Sequence, residues 1–276
     1  MPDADSSNKA PWITFNVEKV IIQRGITGIG NRNFLQMSSI TSVSYPDTLT
    51  KIGDAAFYEC YGLTEIVLPS GVNTVGSGAY CDCSAVTKIV TPGATSLESY
   101  AFQGTSAVTY EIPAGITSIS PLVFFGNTTI ESYTVAVGNP SYIAQNGIVY
   151  SKDGTVLVMY PFQSRVGTFA IPANVKEIGA YAFYGASSIN ISTLRVTLPA
   201  SVKSIGDYAF HNRNVEFVYC KSLTPPFLGG ANVFGNDWGT SWKCKYYVPM
   251  SAVDDYKKAP YWKDLGDNIV GYDFTE

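Results

Sequence analysis

A short motif recurs along the chain at nearly constant spacing, and this repeat constrains the fold more than any other feature. In its clearest copy the motif is Ile52-Gly53 followed by Phe57, and the aromatic position returns after 22 or 23 residues in neighbouring copies. The aromatic residues of the seven copies are Phe34, Phe57, Tyr80, Phe102, Phe124, Phe183 and Phe210. A fixed period of this length is typical of a leucine-rich-repeat solenoid, in which each repeat contacts only its neighbours.

Each unit also contains an extended segment with alternating apolar residues. In the segment from Leu63 to Pro69, the side chains of Leu63, Ile66 and Leu68 are predicted to point inward, and Pro69 ends pairing because proline has no amide donor. Val72 and Val75 supply a second inward pair. No single repeat buries these residues alone, so we predict one parallel strand per repeat, stacked at about 4.8 Å spacing into a sheet roughly 30 Å or more long.

The interval between Phe124 and Phe183 is longer than the others and indicates an insertion. Within it, residues 147–161 read as two short strands joined at Asp153-Gly154, which is a strong signal for a tight hairpin. The hairpin is interpreted as a spacer or, alternatively, as a flap that contacts a ligand. The predicted fold is thus a right-handed β/α superhelix dominated by strands, with one parallel-sheet face, short helical or 3-10 turns and a β-hairpin insertion.

The repeats also define the predicted domain organisation. We expect a disordered N-terminal segment or linker over residues 1–11 and a single repeat domain over residues 12–276. Within that domain the predicted parts are an N-terminal cap (12–28), repeats (29–135), the hairpin insertion (136–165), further repeats (166–220), and a C-terminal loop and cap (221–276).

Aromatic residues mark both ends of the predicted domain. Trp12 is predicted to cover the first strand, and Trp262 lies in a short helical cap predicted over Val253–Leu265, after a last strand over Lys243–Pro249. Terminal repeats need such lids because their outer layers have no neighbour. A carbohydrate-stacking platform is the alternative role for these tryptophans. Phe234 is interpreted as a decayed eighth copy of the repeat aromatic.

Composition excludes several classes of function. Charged residues make up only 14% of the chain, the net charge is −4, and Lys257-Lys258 is the longest basic cluster, so the sequence lacks the electrostatic footprint of nucleic-acid binding. No apolar run approaches the ~20 residues that a membrane-spanning helix requires.

The residues with chemical potential form no recognisable catalytic or metal-binding pattern. His211 is the only histidine, the five cysteines include no CxxC pair, and acidic residues are scattered over different columns of the repeat. Cys60 and Cys83 share one column and are predicted to be buried, with a disulfide as the alternative, and Cys81 is predicted to be a surface or loop thiol. A bridge between Cys220 and Cys244 is disfavoured by an offset of about four residues along the strands. We therefore expect no enzymatic activity, no cofactor and no metal.

The outward strand positions supply the candidate partner-binding residues. A ladder of Thr41, Thr64, Thr87 and Thr109 is expected on the solvated face. Beside it, the candidates are Glu65, Val67, Lys88, Val90, Tyr110, Phe217, Tyr219 and Tyr247. Exposed aromatic residues mixed with threonine are typical of a recognition surface, and an ordinary solvated sheet is the alternative.

The pattern Leu63-x-x-Ile66-x-Leu68-Pro69-x-x-Val72-x-x-Val75-Gly76, preceded by Ile52-Gly53-x-x-Ala56-Phe57-x-x-Cys60, resembles the BspA-type leucine-rich repeat of bacterial cell-surface proteins, common in gut and oral Bacteroidetes. The resemblance extends roughly from Trp12 to Phe274. It implies a secreted or surface-anchored, non-enzymatic protein that adheres to host proteins or other cells, with any signal peptide or lipoprotein anchor lying outside this sequence.

The leading expectation is therefore a binding or adhesion module that recognises a host extracellular protein or another cell surface through its repeat face, as a monomer and without nucleic acid. A glycan is the alternative ligand. One rival hypothesis is a carbohydrate-binding or carbohydrate-processing surface protein that uses the aromatic loop around Trp238 and Trp242. The other is a structural spacer.

Overall fold

The computed structural model describes residues 1–4, 10–162, 167–184, 194–211, 215–235 and 244–275 of the 276-residue chain. The described residues form the predicted solenoid of stacked parallel strands. The backbone divides into two compact units, Met1–Gly147 and Ile148–Glu276.

Short strands dominate the first unit. They are β1 (Lys19–Ile21), β2 (Gly28–Ile29), β3 (Ser42–Ser44), β4 (Lys51–Ile52), β5 (Glu65–Val67), β6 (Thr74–Val75), β7 (Lys88–Val90), β8 (Ser96–Leu97), β9 (Thr109–Ile112), β10 (Ser132–Val135) and β11 (Tyr142–Gln145). A 3-10 helix over Pro121–Phe124 follows β8 and β9, and Ser120 caps it by accepting a hydrogen bond from the amide of Leu122.

Most repeats contribute two strands instead of the one that was predicted. The expected inward positions Leu63, Ile66 and Leu68 are buried as predicted. The strands of this first ladder pair in parallel, β1 with β3, β5 with β7, and β9 with β10. A second parallel ladder runs in the order β2-β4-β6-β8, and Val75 is the inward residue of β6. The prediction of one strand per repeat is wrong because these strands are only two residues long, too short for an alternating pattern to be read from sequence.

The repeat aromatics form one column through the core of the first unit. Phe34, Phe57, Tyr80 and Phe102 stack with centroid distances of 4.9, 5.1 and 6.0 Å along the column. Trp12 stacks on Phe34 at 5.5 Å, and its indole donates a hydrogen bond to the Asn33 carbonyl. Trp12 therefore closes the front of the column, as predicted from the sequence.

The loops that carry these aromatics are joined by backbone hydrogen bonds. The amides of Ala55, Phe57 and Glu59 donate to carbonyls of the next turn at 2.7 to 2.9 Å. In the loops of Phe34, Phe57, Tyr80 and Phe102 two positions adopt a left-handed backbone, as at Ala55 (φ 49°) and Glu59 (φ 57°), and the equivalent of Ala55 in the next turn is Gly78 (φ 58°). These loops thus form a third set of connections between consecutive turns.

The start of the chain is packed against the first repeat. The terminal amino group of Met1 hydrogen-bonds the Gly28 carbonyl, and the Asp3 carboxylate accepts from the amide of Asn31 at 2.8 Å. Ala4 is buried. Residues 1–4 of the segment expected to be disordered or a linker are thus held to the first repeat by backbone and side-chain contacts.

The second unit repeats the same design. Its strands are β12 (Ile148–Ser151), β13 (Val156–Met159), β14 (Thr168–Ala170), β15 (Glu177–Ile178), β16 (Leu194–Leu198), β17 (Ser204–Ile205), β18 (Val215–Cys220), β19 (Phe227–Leu228), β20 (Lys245–Pro249) and β21 (Ile269–Tyr272). Within this unit one ladder pairs β14-β16-β18-β20-β21 and the other pairs β13-β15-β17-β19, all in parallel.

The predicted hairpin is present and contributes to the ladder. Strands β12 and β13 pair antiparallel, with Tyr150 opposite Leu157, and the turn contains Asp153 and Gly154 as expected. Strand β13 then pairs in parallel with β15. Tyr160, just beyond the hairpin, stacks on Phe183 at 4.6 Å, so the insertion supplies a turn of its own.

The C-terminal end of the second unit is closed by aromatic residues. Phe234 stacks on Phe210 at 5.5 Å, which confirms it as a further copy of the repeat aromatic, and Trp262 packs on Phe234 at 5.7 Å. The cap contains 3-10 helix Met250–Ala252, helix α1 (Val253–Tyr256) and 3-10 helix Trp262–Asn268. The predicted last strand corresponds to β20, with Lys243 outside the described residues, and β21 follows the cap as a strand that the sequence pattern did not predict.

All five cysteines are buried as free thiols. Cys60 and Cys83 donate from Sγ to the carbonyls of Phe34 and Phe57 at 3.1 and 3.0 Å, which fits the prediction of one buried column. Cys81 lies in a loop, as one of its two predicted alternatives had it, but its thiol is buried and not at the surface. Desolvation raises the pKa of the Cys81 thiol to about 12, and the thiol is therefore protonated at neutral pH.

Candidate partner-binding surface

The candidates in the first unit lie side by side on β5 and β7. Glu65 is opposite Lys88 and Val67 is opposite Val90 in the parallel register. The Lys88 ammonium lies 3.3 Å from the Glu65 carboxylate, and both side chains are more than half exposed. Exposed ion pairs of this kind contribute about 0 to 1 kcal/mol to the free energy of unfolding. The pair therefore neutralises two surface charges and adds little to stability. What remains exposed beside them is a small aliphatic pair.

Tyr110 does not belong to this surface. Its side chain is buried, and its hydroxyl lies 2.6 Å from the hydroxyl of Thr91. Desolvation raises the pKa of the phenol well above its usual range. The prediction is wrong because Ala107, not Val108, is the equivalent of Leu63, so the register was misplaced by one residue and Tyr110 takes the inward position of Ile66.

The candidates in the second unit form an aromatic cluster. Phe217 and Tyr219 lie at outward positions of β18, and Tyr247 lies opposite Tyr219 on β20. The rings of Tyr219 and Tyr247 stack at 4.9 Å with planes 17° apart, and Phe217 lies 5.7 Å from Tyr247. The three predicted residues are thus brought together on one sheet face.

Two further aromatic residues extend this cluster. Tyr272 of β21 contacts Tyr219 at 5.5 Å and Tyr247 at 5.4 Å, and Phe274 packs against Tyr272 at 5.0 Å. We call the five residues Phe217, Tyr219, Tyr247, Tyr272 and Phe274 the aromatic patch. The sequence interpretation missed Tyr272 and Phe274 because β21 follows the cap, where no repeat pattern marks it.

A cation borders the aromatic patch. The guanidinium carbon of Arg195 lies 5.0 Å from the ring centroid of Phe217, and Arg195 donates to the Glu216 carboxylate at 3.1 and 3.2 Å. Arg195 lies directly opposite Phe217 in the parallel register. Its position could have been found from Pro199, which aligns Val196 and Leu198 with the inward residues Ile66 and Leu68.

The patch combines burial with exposure in a way that suits recognition. Its rings are partly desolvated by one another, and this burial raises the pKa of the Tyr219 phenol, which therefore stays neutral at physiological pH. Tyr272 is exposed, whereas Phe217, Tyr219 and Tyr247 are half-buried. Tyrosine and arginine are the side chains most often found at the energetic centres of protein interfaces.

Three further points concern metal binding, the single histidine and the tryptophans of the carbohydrate hypothesis. No group of histidine, cysteine and acidic residues there could hold a metal ion. His211 is buried between the rings of Tyr184 and Tyr208, at 5.6 and 4.8 Å. Trp238 and Trp242, the basis of the carbohydrate hypothesis, lie outside the described residues.

Stacked parallel turns with an outward sheet face define a solenoid repeat protein, a class of fold whose families are generally non-enzymatic. The family profile described as the BspA type leucine rich repeat region matches residues 10–131 and 160–224 in six copies. The chain therefore belongs to the BspA-type leucine-rich-repeat family, whose members are generally cell-surface proteins.

Solved structures of bacterial repeat proteins share the fold. A leucine-rich repeat protein from Eubacterium ventriosum is similar with a TM-score of 0.60 and 24% identity, over 91% of this chain and 72% of that one. A leucine rich cell surface protein from Faecalibacterium prausnitzii has a TM-score of 0.58 and 22% identity, over 89% and 77% of the two chains. The pneumococcal vaccine antigen PcpA has a TM-score of 0.56 and 17% identity, over 98% and 90%. At these identities the likeness establishes the fold alone.

No curated protein matches the sequence. Across the described ranges, none of the helices has the length and apolar character needed to cross a membrane.

Proposed function

We propose that this protein is a non-enzymatic binding or adhesion module, displayed at the cell surface or secreted, which recognises a host extracellular protein or a protein of another cell. The aromatic patch is the observation that carries this proposal. Membership in a family of generally cell-surface proteins supports the location.

The geometry of the patch favours a protein ligand. Tyr219 and Tyr247 offer broad, rigid rings with hydroxyl groups at their edges, and aromatic side chains of this kind lose little conformational entropy on binding. Arg195 adds a charged donor next to Phe217. An apolar centre with a polar rim is the usual anatomy of a protein interface.

The proposal is tested by an array of host extracellular proteins and glycans, probed with the purified wild-type chain and the double variant Tyr219→Ala/Tyr247→Ala. We expect at least one protein ligand, and we expect its affinity to fall at least thirtyfold in the double variant, equivalent to about 2 kcal/mol. Circular dichroism establishes that the variant remains folded.

The matched control is Thr64→Ala/Thr87→Ala, which alters two exposed outward positions in the first unit. It should change the affinity less than twofold. Binding only to glycans would favour the carbohydrate alternative, and turnover of a polysaccharide by the purified protein would establish the enzymatic one. No binding to any arrayed protein or glycan would instead support a structural spacer. Equal losses of affinity in both double variants would remove the patch as the binding site.

A further inference from the structure

The second ladder of the second unit ends at β19. Within the ladder, the amide of Phe227 donates to the Lys203 carbonyl at 2.9 Å and that of Gly229 donates to the Ile205 carbonyl at 2.8 Å. In a parallel pair, a further strand would use the groups on the opposite edge, which are the carbonyl of Pro226 and the amide and carbonyl of Leu228. Among the described strands, none pairs with that edge.

A helix takes the position in the sequence at which the next ladder strand would be expected. Pro249 ends β20 as Pro69 ends β5, and the ladder strand Thr74–Val75 begins five residues after Pro69. The equivalent residues, Asp254 and Asp255, lie in α1, whose amides and carbonyls bond within the cap, as from Lys257 to Val253 at 3.0 Å. These residues therefore add no strand to the ladder, and a gap remains between β19 and the later cap residues Ala259, Pro260 and Trp262.

That gap is a cleft of about 360 Å³. Ladder residues on one side and cap residues on the other line it: Lys203, Thr224, Pro225, Pro226, Phe227, Leu228, Ala259, Pro260 and Trp262. Its volume falls within the usual range of ligand pockets. Phe227 at its edge is two-thirds exposed, at the position where the neighbouring ladder strand β17 has Ser204.

The cap already supplies one of the hydrogen bonds that a further strand would make to the edge of β19. The indole of Trp262 donates to the Pro226 carbonyl at 2.8 Å, which is the first of the three edge groups. The backbone groups of Leu228 are the other two. At the front end of the first unit, the amino group of Met1 likewise donates to the carbonyl of Gly28 in β2.

We propose that this cleft binds an extended peptide segment of a partner protein, which adds to the outer edge of β19 as the next parallel strand. Strand addition of this kind takes its affinity from main-chain hydrogen bonds and its specificity from side-chain pockets. The apolar surfaces of Phe227, Pro260 and Trp262 favour a peptide with an apolar side chain. The ammonium group of Lys203 at the rim favours an acidic side chain next to it. The site is separate from the aromatic patch and does not depend on its function.

The first experiment selects a phage-displayed library of random heptapeptides on the immobilised wild-type chain and on the double variant Lys203→Glu/Phe227→Ala. Both substituted side chains are exposed, so the variant should fold normally. We expect the wild type to enrich peptides with alternating apolar residues and an Asp or Glu, and we expect the variant not to enrich them. No enrichment on the wild type, or the same peptides on both proteins, would overturn the proposal.

The second experiment measures the affinity of one selected peptide by fluorescence polarisation. Lys203→Glu should weaken binding at least tenfold, whereas Lys176→Glu, which changes the exposed lysine one turn earlier, should weaken it less than twofold. N-methylation of the central peptide amides should abolish binding because it removes the donors that pair with the strand edge. Unchanged affinity after N-methylation would exclude strand addition.

The aromatic-patch variant distinguishes peptide binding in the cleft from ligand binding on the aromatic patch. Tyr219→Ala/Tyr247→Ala should bind the selected peptide with wild-type affinity. A loss of peptide binding in that variant would place the peptide on the aromatic patch and overturn the cleft proposal. A failure of the patch variant to lose any host ligand, with peptide binding retained in the cleft, would overturn only the patch.

Discussion

Phe57 and Tyr80 lie face to face in the core of the first unit, with ring centroids 5.1 Å apart and ring planes 3° apart. Phe57 also stacks on Phe34, so it contacts a ring on each side. Phe57→Ala should therefore lower the free energy of unfolding by about 3 to 5 kcal/mol, through lost burial and an internal cavity. Urea denaturation followed by circular dichroism measures this change.

The control for this prediction is Phe15→Ala. Phe15 is exposed and takes no part in the column, so its removal should change stability by no more than about 0.5 kcal/mol. Similar losses in both variants would show that the stacked column does not hold the turns together.

The hydroxyl pair of Tyr110 and Thr91 gives a second prediction. Tyr110→Phe should lower the free energy of unfolding by about 1 to 3 kcal/mol, because the Thr91 hydroxyl is left buried without this partner. Adding Thr91→Val should restore part of the loss, since both polar groups are then removed. A double-mutant cycle measures the coupling, and strictly additive effects would contradict it.

This pair also shows why the repeat alone does not determine the register of β9. The spacing from Pro92 to Pro113 is 21 residues, whereas the spacing from Tyr80 to Phe102 is 22, so the two landmarks in one turn disagree. An alignment on the aromatic residue places Tyr110 outward, and an alignment on the proline places it inward. Burial of a tyrosine in place of Ile66 or Ile89 depends on the space in the neighbouring layer and on the Thr91 hydroxyl, which only the folded structure reveals.

The left-handed loop position gives a matched pair of variants. Ala55 has φ 49° and Gly78, its equivalent in the next turn, has φ 58°. Ala55→Gly should stabilise the protein by roughly 0.5 to 1 kcal/mol, because relief of the strain on Cβ exceeds the entropy cost of glycine. Gly78→Ala should destabilise it by about 1 kcal/mol, although its Cβ would meet nothing closer than Cys81 at 3.6 Å. Thermal unfolding distinguishes the two, and shifts of the same sign would contradict the prediction.

The hairpin turn gives a prediction that depends on pH. Asp153 accepts hydrogen bonds from the Ser151 hydroxyl at 2.6 Å and from the amide and hydroxyl of Thr155 at 3.1 and 2.9 Å. These bonds lower the pKa of its carboxyl from 3.8 to about 2. Because the folded-state pKa is the lower one, the stabilisation is present above about pH 4 and is lost as the pH falls towards 2.

Asp153→Ala should therefore reduce hairpin stability at neutral pH, with a smaller difference from wild type near pH 2. Amide hydrogen exchange at Thr155 and Val156 measures the hairpin, and an NMR titration of the Asp153 carboxyl measures the pKa. An Asp153 pKa near 3.8, or a difference between the two proteins that does not depend on pH, would argue against these hydrogen bonds.

The sequence was sufficient for the fold and for part of the candidate surface. The aromatic period identified the stacked turns, and strict alternation placed Phe217, Tyr219 and Tyr247 outward. It could not supply Tyr272 or Phe274, because β21 follows a cap that has no repeat. Nor could it supply the cleft beside β19, because that cleft depends on how the cap residues Ala259, Pro260 and Trp262 pack against the ladder. Contacts between distant parts of the chain decide both features.

The loop hydrogen bonds between consecutive turns have a consequence for the history of the gene. The bond from the Arg32 amide to the Asp54 carbonyl is equivalent to the bond from the Ala55 amide to the Ser77 carbonyl, and the second bond lies 23 residues further along the sequence. Duplication or deletion of one whole period therefore recreates a junction that the protein already contains. Recombination within the gene could lengthen or shorten the displayed face in such steps while leaving the protective ends intact, so close relatives should differ in length by multiples of this period.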